Sequence, residues 1–260
     1  MLETIRALYV LTVVILLTIP LIPVQWLLNL LKLRLKRRLP MMWHRIMASV
    51  VGLKVKTFGT PTKERPLLIV SNHISWLDIL VLSSVAPVCF VAKQEVSGWP
   101  GVSILAKLQR TVFVDRERRA KTGTKTSEIA QRLKDGDAMV LFAEGTSTNG
   151  THVMSFRPAL FGAAQQALEE DSTVKVQPVA IAYTHLQGIP TTFADRAHTG
   201  FYGDTDMAPH LWAVIKKGGI DAAVQFGSPL DVTLKTNRKV ISRQLHHAVK
   251  TMKTELLRGK

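Results

Sequence analysis

The sequence predicts an α/β fold with a central, mostly parallel or mixed sheet flanked by helices, preceded by an N-terminal hydrophobic, membrane-seating helical segment. From residue 53 onward, short runs rich in Val, Ile and Phe alternate with stretches of helical periodicity, which is typical of α/β domains. Residues 7–31 contain no charged side chain, and an apolar run of that length is typical of membrane segments. We therefore divide the chain into a membrane-associating helical segment, residues 1–52, and an α/β domain, residues 53–260.

The N-terminal apolar run is long enough to cross a bilayer. As one helix, residues 7–31 would measure about 37 Å, against a hydrocarbon core of about 30 Å. Pro20 and Pro23 lie inside the run, and they predict a kink or a helix–break–helix hairpin. The run is too long for the apolar region of a signal peptide. The sequence leaves open whether the segment spans the membrane or lies in one leaflet.

A basic cluster follows the apolar run: Lys32, Arg34, Lys36, Arg37 and Arg38. Positive residues beside a membrane segment stay on the cytoplasmic side, and each attracts anionic headgroups by about 1 kcal/mol near the surface. The next predicted helix, residues 41–51, carries an apolar face. That face either lies in the membrane interface or packs on the α/β domain.

The α/β domain contains seven predicted strands, at residues 53–58, 67–70, 88–92, 111–114, 138–142, 174–183 and 222–226. Helices are predicted between them, at residues 75–85, 102–108, 124–134, 159–168 and 209–217. A last helix is predicted at residues 237–258, and it carries one apolar stripe, as an amphipathic helix does. Pro178 lies within a predicted strand, which indicates an edge strand or a bulge.

Charge and composition restrict the partners. Lys and Arg number 34 against 19 Asp and Glu, a formal charge of +15, which favours nucleic acid, anionic lipid or an acidic protein as partner. A nucleic-acid binder would not explain the apolar N-terminus. The basic stretch at residues 107–125 is either a docking surface for an acidic protein or a solvated face near anionic lipid. Cys89 lies in an apolar run and is predicted to be buried, and the histidines lack metal-ligand spacing.

The clearest chemical signal follows the strand predicted at residues 67–70. Ser75 and Asp78 have capping-box spacing, so Ser75 is predicted to begin the next helix. Asp78 then lies in the first turn and leans back toward His73. A carboxylate on one ring nitrogen fixes the tautomer, so the other can take a proton from an alcohol. The alternative is a surface histidine beside a helix-capping aspartate.

Four stretches in this order resemble the motifs of the glycerolipid acyltransferase family. The first is Asn-His-x4-Asp, formed here by Asn72, His73 and Asp78. The second resembles residues 91–95 followed by 111–116, the third residues 142–147 and the fourth residues 176–181. Together they span residues 72–181, and the basic, apolar N-terminus fits the family too.

The resemblance implies direct transfer of a fatty acyl group from acyl carrier protein or coenzyme A to a lysolipid hydroxyl, without an acyl-enzyme. His73 would be the general base and Asp78 its partner. The residues implied to bind the acceptor are Asn72, Arg116, Glu144, Gly145 and Thr146. The reaction needs no metal and no cofactor beyond the acyl thioester. The implied location is the cytoplasmic face of a bacterial inner membrane.

Departures from the family pattern bear on the acceptor. Members that handle phosphate usually have Pro at position 143 and Arg at position 147, where this chain has Ala143 and Ser147. Without the arginine guanidinium at position 147, an acceptor with a phosphomonoester headgroup is less favoured. Residues 107–111, 143–147 and 202–212 resemble a branch that acylates lyso-ornithine lipid, so that lipid is the predicted acceptor and lysophosphatidic acid the runner-up. A non-enzymatic basic membrane-surface protein is the alternative of another class. Hydrolase, P-loop and dinucleotide fingerprints are absent from the sequence.

Overall fold

A computed structural model describes residues 1–114, 119–168 and 172–259. The strands are β1 (Leu53–Phe58), β2 (Leu67–Ser71), β3 (Val88–Lys93), β4 (Val112–Val114), β5 (Ala138–Phe142), β6 (Val174–Leu186), β7 (Ile189–Pro190), β8 (Ile220–Phe226) and β9 (Leu230–Val232). The helices are α1 (Leu2–Leu30), α2 (Leu35–Val51), α3 (Leu77–Val85), α4 (Val102–Leu108), α5 (Arg119–Lys134), α6 (Gly162–Gln166), α7 (Arg196–Thr199), α8 (Met207–Lys217) and α9 (Arg238–Leu257). Short 3-10 turns occupy Gln94–Gly98 and Pro158–Phe161.

The strands form one mixed sheet in the order β1-β8-β6-β2-β5-β3-β4, with β7 and β9 also paired to β6. β2 lies parallel to both β5 and β6, whereas β8 and β9 run antiparallel to β6. All five residues of β2 are buried, as expected for a central strand covered on both faces. The predicted α/β class with a mixed sheet is confirmed, and every predicted strand is present. The strands β7 and β9 were not predicted.

Helices cover both faces of the sheet. Apolar residues of α1, α2, α3 and α8 share one buried cluster with the sheet. The other face packs against α5, α6 and α9. The predicted last helix is present as α9, and its apolar stripe, which includes Ile241, Leu245 and Val249, lies in this second cluster. Asn237 caps α9, since its side chain accepts hydrogen bonds from the backbone N–H groups of Lys239 and Val240.

The prediction that Pro178 marks an edge strand is wrong. β6 is an interior strand, and Pro178 pairs in register with Val70 of β2. On the other side of β6, pairing with β9 ends at Val176 and pairing with β8 begins at Val179. Pro178 therefore lies at the break between two partner strands, where a missing backbone N–H leaves no ladder bond unmade.

The helical break expected at the prolines is also wrong. α1 continues through Pro20 and Pro23, and the chain turns at residues 31–34, before α2. Contacts on either side of the prolines keep the helix in one piece: Thr18 accepts a hydrogen bond from the Trp43 indole, and Gln25 donates to the Leu108 carbonyl. α1 is long and apolar enough to cross a membrane, and most of its apolar window is exposed.

Of the two alternatives that the sequence left open for the apolar face of α2, the structure shows packing on the α/β domain. Met47, Ala48 and Val51 are buried in the cluster beneath the sheet. Met42 and Ile46 lie on the exposed side of the helix. Residues 1–52 therefore contribute directly to the core of the α/β domain.

Two of the basic residues assigned to external surfaces are bonded inside the molecule. Asp137 is buried and forms ion pairs with Arg37 of α2 at 2.8 Å, Arg110 at 2.7 Å and Arg132 of α5 at 3.4 Å. A buried carboxylate needs such partners. Arg110 is therefore largely unavailable to an external partner, and Arg37 combines an internal ion pair with a partly exposed side chain. The buried position predicted for Cys89 is confirmed.

Candidate active site

The His73 side chain lies just beyond the carboxyl end of β2, in the loop that leads to α3. Its Nδ1 atom is 2.8 Å from Oδ2 of Asp78, so the structure brings together the two side chains that the spacing predicted to meet. With Nδ1 donating to the carboxylate, the neutral imidazole presents Nε2 as an acceptor. That nitrogen is the one available for chemistry.

The Asp78 carboxylate is held by four donors. Oδ2 accepts the His73 ring N–H and the backbone N–H groups of Ile74 at 2.7 Å and Ser75 at 3.0 Å. Oδ1 accepts the hydroxyl of Tyr183 at 2.6 Å. The carboxylate is completely buried, and a buried charge requires this degree of hydrogen bonding. Its position is therefore fixed from both sides.

The prediction that Ser75 begins α3 is wrong. The helix begins at Leu77, and Trp76 occupies the N-cap position. The backbone at residues 74 and 75 wraps around the Asp78 carboxylate, which reaches back toward the helix N-terminus. Asp78 therefore ties the segment before α3 to the first turn of that helix, as well as bonding the histidine.

The His73 imidazole is held in one orientation by a stacked aromatic ring as well as by Asp78. It stacks on the Phe142 ring at the end of β5, with centroids 3.9 Å apart and planes 12° from parallel. The His73 side chain keeps 22% of its surface exposed. Its exposed part lines a groove of about 370 Å³, which is within the usual size range of ligand sites.

The groove has mainly apolar walls. Trp76, Phe90, Trp99 and Phe201 line it together with His73. Lys93 and Glu95, both exposed, bring opposite charges to the same lining. Apolar walls with a few charged groups suit an amphiphilic ligand. The arrangement combines a histidine acceptor nitrogen with space for a lipid.

Residues 53–182, half of the chain, match the family model described as Acyltransferase. The chain belongs to this acyltransferase family. It is 47% identical to the lyso-ornithine lipid O-acyltransferase of Brucella abortus, over 100% of this chain and 98% of the relative. The Rhizobium meliloti protein of the same name is 43% identical, over 92% and 83% of the two chains. The chain is therefore an acyltransferase, which overturns the alternative of a non-enzymatic surface protein.

The fold agrees with this assignment. The crystal structure of the 1-acyl-sn-glycerophosphate (LPA) acyltransferase from Thermotoga maritima matches with a TM-score of 0.66. The match covers 98% of this acyltransferase and 97% of that chain, at 21% identity. At that identity the likeness shows the mixed α/β fold alone.

Two of the residues predicted to bind the acceptor line the groove. Gly145 and Thr146 do so beside His73. Gly145 has a φ of +82°, and a Cβ there would lie 2.8 Å from Nε of Arg157. The left-handed backbone therefore favours glycine at this position, where the Arg157 side chain also packs closely. Arg116 lies outside the described residues.

The other two predicted acceptor-binding residues bond to backbone instead. Asn72 is buried, and its side chain exchanges hydrogen bonds with the backbone N–H and carbonyl of Ile181 in β6. Glu144 is also buried, and its two oxygens accept the backbone N–H groups of His73 and Met154, each at 2.7 Å. Burial raises the pKa of Glu144, opposed by those two bonds. Both side chains therefore hold backbone segments around His73 in the structure, instead of the role in acceptor binding that the resemblance implied.

Tyr183 is the residue that sequence reasoning missed. It lies 105 residues from Asp78, and only its position two residues beyond Ile181, on the same strand face, could have pointed to it. Burial raises the pKa of Tyr183 well above its ordinary value, and the Asp78 carboxylate raises it further. Tyr183 therefore remains a phenol and donates to Asp78.

We expect Tyr183→Phe to lower the acyl-transfer rate about tenfold. The change removes one hydrogen bond to a buried carboxylate, an interaction of about 1.5–3 kcal/mol, and so loosens the partner of His73. The measurement is kcat with purified enzyme, alongside thermal unfolding. Tyr9→Phe, which removes an exposed hydroxyl from α1, is the matched control. Equal rates in the two variants would contradict a role for the Tyr183 hydroxyl.

Proposed function

We propose that this acyltransferase moves a fatty acyl group from a carrier thioester to the free hydroxyl of a lysolipid, with lyso-ornithine lipid as the acceptor. The observation that carries the proposal is the His73–Asp78 pair at the wall of a largely apolar groove. No cofactor takes part beyond the acyl thioester itself.

In the proposed mechanism, Nε2 of His73 takes the proton of the acceptor hydroxyl as its oxygen attacks the thioester carbonyl carbon. Asp78 holds the tautomer and stabilises the imidazolium that forms. When the tetrahedral intermediate collapses, the carbon–sulfur bond breaks, and the thiolate recovers the proton from His73. An ester and a free thiol result, and no acyl-enzyme is formed.

The charges of the groove support the choice of acceptor. Ser147 lines the groove, so the forked cation that phosphate-handling relatives have at this position is missing from its wall. Lys93 and Glu95 together suit a headgroup with one carboxylate and one ammonium. Lyso-ornithine lipid has both groups, whereas a phosphomonoester has two negative charges.

Lysophosphatidic acid is the second candidate acceptor. The 1-acyl-sn-glycerol-3-phosphate acyltransferase of Neisseria gonorrhoeae is 28% identical over 78% of this chain. We further propose that Arg116 contacts the acceptor headgroup, as a guanidinium suits carboxylate or phosphate equally. The proposed donor is acyl carrier protein, an acidic partner suited to a chain of charge +15, with coenzyme A as the alternative.

The enzyme is proposed to act at the cytoplasmic face of a bacterial inner membrane. α1 leaves large apolar side chains exposed along its length, among them Leu2, Ile5, Leu8, Ile15, Leu16, Ile19, Trp26 and Leu30. Lys32, Arg34 and Arg38 follow α1 and are exposed, and positive residues beside a membrane segment favour the cytoplasmic side.

We expect the protein to stay in the membrane fraction in about 1 M salt, where the Debye length is about 3 Å and surface charges are screened. Insertion of the apolar α1 face does not depend on ionic attraction. Sedimentation of washed membranes provides the measurement, with detergent as the positive control for release. Complete release by salt alone would indicate attachment by charge only.

We expect transfer to lyso-ornithine lipid to exceed transfer to lysophosphatidic acid when purified enzyme receives both acceptors in parallel. Lys93 and Glu95, the charged groups that line the groove among the described residues, match one negative and one positive group on the acceptor. The same assay identifies the donor when the labelled acyl group is offered either on acyl carrier protein or on coenzyme A. Faster transfer to lysophosphatidic acid would move the acceptor assignment to the second candidate.

We expect His73→Ala to lower kcat by about 10²- to 10⁴-fold, the usual contribution of a general base. Asp78→Asn should also lower kcat, because an amide can hold the ring in the wrong tautomer. His247→Ala, which removes an exposed imidazole from α9, serves as the control. A folded His73→Ala enzyme with the rate of this control would contradict the assignment of the base.

A further inference from the structure

Three side chains of α9 bind the loop that follows the Glu144-Gly145-Thr146 turn. Ser242 donates to the carbonyl of Phe156 at 2.9 Å, His246 Nε2 donates to that of Val153 at 3.1 Å, and Lys253 Nζ donates to that of Gly150 at 2.5 Å. The three donors lie at intervals of four and seven residues, which places them on one face of the helix. α9 thus holds residues 150–156 along their length.

The opposite side of the same loop is bonded to the proposed base. The carbonyl of His73 accepts the backbone N–H of Thr148 at 3.0 Å. Glu144 joins the backbone N–H groups of His73 and Met154. A Cβ at Gly150 would lie 3.2 Å from the Ile74 side chain, so the loop packs directly on the residue after His73. The loop is therefore clamped between α9 and the His73 backbone.

Lys253 is the unusual member of this clamp, since it is a lysine with only 4% of its surface exposed. Burial of an ammonium is costly unless negative charge compensates it. Glu144 is the strongest nearby source of such charge and Asp78 is a weaker one, whereas Arg196 acts in the opposite direction. A methionine would fill the same space without this cost, so the positive charge calls for a functional explanation.

We propose that Lys253 is a positioning residue of the transfer reaction: its ammonium offsets the buried negative charge of Glu144 and holds the Gly150 carbonyl, and so fixes the loop against His73. The inference rests on the proposed role of His73 as base. Glu144 accepts a backbone N–H on each of its two oxygens, which favours the carboxylate, and a nearby cation favours that form too. Lys253 therefore acts on the base through Glu144 and the loop, without touching the substrate.

The charge on Lys253 is expected to vary in the working range of pH. Burial lowers its pKa to about 8, while Glu144 opposes the shift. The ammonium is therefore present below that pH and is lost as the pH rises through it. Tyr183, which lines the small void beside Lys253, has its pKa raised well above its ordinary value and stays protonated there. The activity should accordingly fall on the alkaline side.

The test compares Lys253→Met, Lys253→Arg and the exposed-lysine control Lys250→Met with wild type, from about pH 6 to pH 9.5. We expect Lys253→Met to lower kcat about ten- to hundredfold, as small displacements of a site do, with little change in KM and with the alkaline fall abolished. Lys253→Arg should restore most of the rate and move the alkaline fall upward, because a guanidinium stays charged. Lys250→Met should match wild type.

A folded Lys253→Met enzyme with the wild-type rate, or with the alkaline fall retained, would overturn the inference. If that variant fails to fold, the comparison of wild type with Lys253→Arg decides, and identical pH profiles would overturn it. If the wild-type enzyme acylates lysolipid in those cases, only the inference on Lys253 fails and the proposed function stands. A wild type that acylates no lysolipid would instead remove the proposed function and this inference together.

Discussion

The hydrogen bond between Nδ1 of His73 and the buried Asp78 carboxylate is the interaction on which the rest of the site depends. A buried carboxylate costs several kcal/mol to desolvate, and here four donors offset that cost. Those donors come from the loop after β2 and from β6. The requirement to satisfy one anion therefore fixes the loop, the first turn of α3 and an interior strand relative to one another, and leaves the histidine a single orientation.

The sheet topology explains why the motif residues meet. β2 lies between β5 and β6 and runs parallel to both, so polar residues that follow β2 and β5 emerge at the same edge, where open α/β sheets bind ligands. Most of these polar side chains then bond to backbone. Asn72 joins β2 to β6, and Glu144 joins His73 to the loop beyond β5. His73 and the turn formed by Gly145, Thr146 and Ser147 do reach the groove, whereas Asn72, Asp78 and Glu144 hold the loops in place around the imidazole.

The sequence predicted contacts between residues that are close along the chain and missed contacts between residues that are far apart along it. Apolar runs located every predicted strand, and the five-residue separation of His73 and Asp78 placed their contact, since both are local signals. Contacts between distant residues carry no such pattern: Tyr183 is 105 residues from Asp78, and Arg37 is 100 residues from Asp137. The same limit explains the other errors. α1 continues through its prolines and makes tertiary contacts on either side of them. Pro178 is tolerated in an interior strand because it lies at the gap between the partner strands β8 and β9.

The proposed lipid chemistry also depends on how the N-terminal helices join the body. α2 is buried against the sheet, and Arg45 of α2 donates to the Ser84 carbonyl at the end of α3, so α2 is joined directly to the helix that follows the His73 loop. Asn29 of α1 donates to the Leu108 carbonyl of α4, and Val102 of α4 lines the groove while remaining partly exposed. An acceptor held in the bilayer by its tail needs an apolar surface that leads to the base. α4 is bonded to the long apolar helix α1 and also lines the groove, so under the proposed function the fold itself would set the position of His73 relative to the lipid.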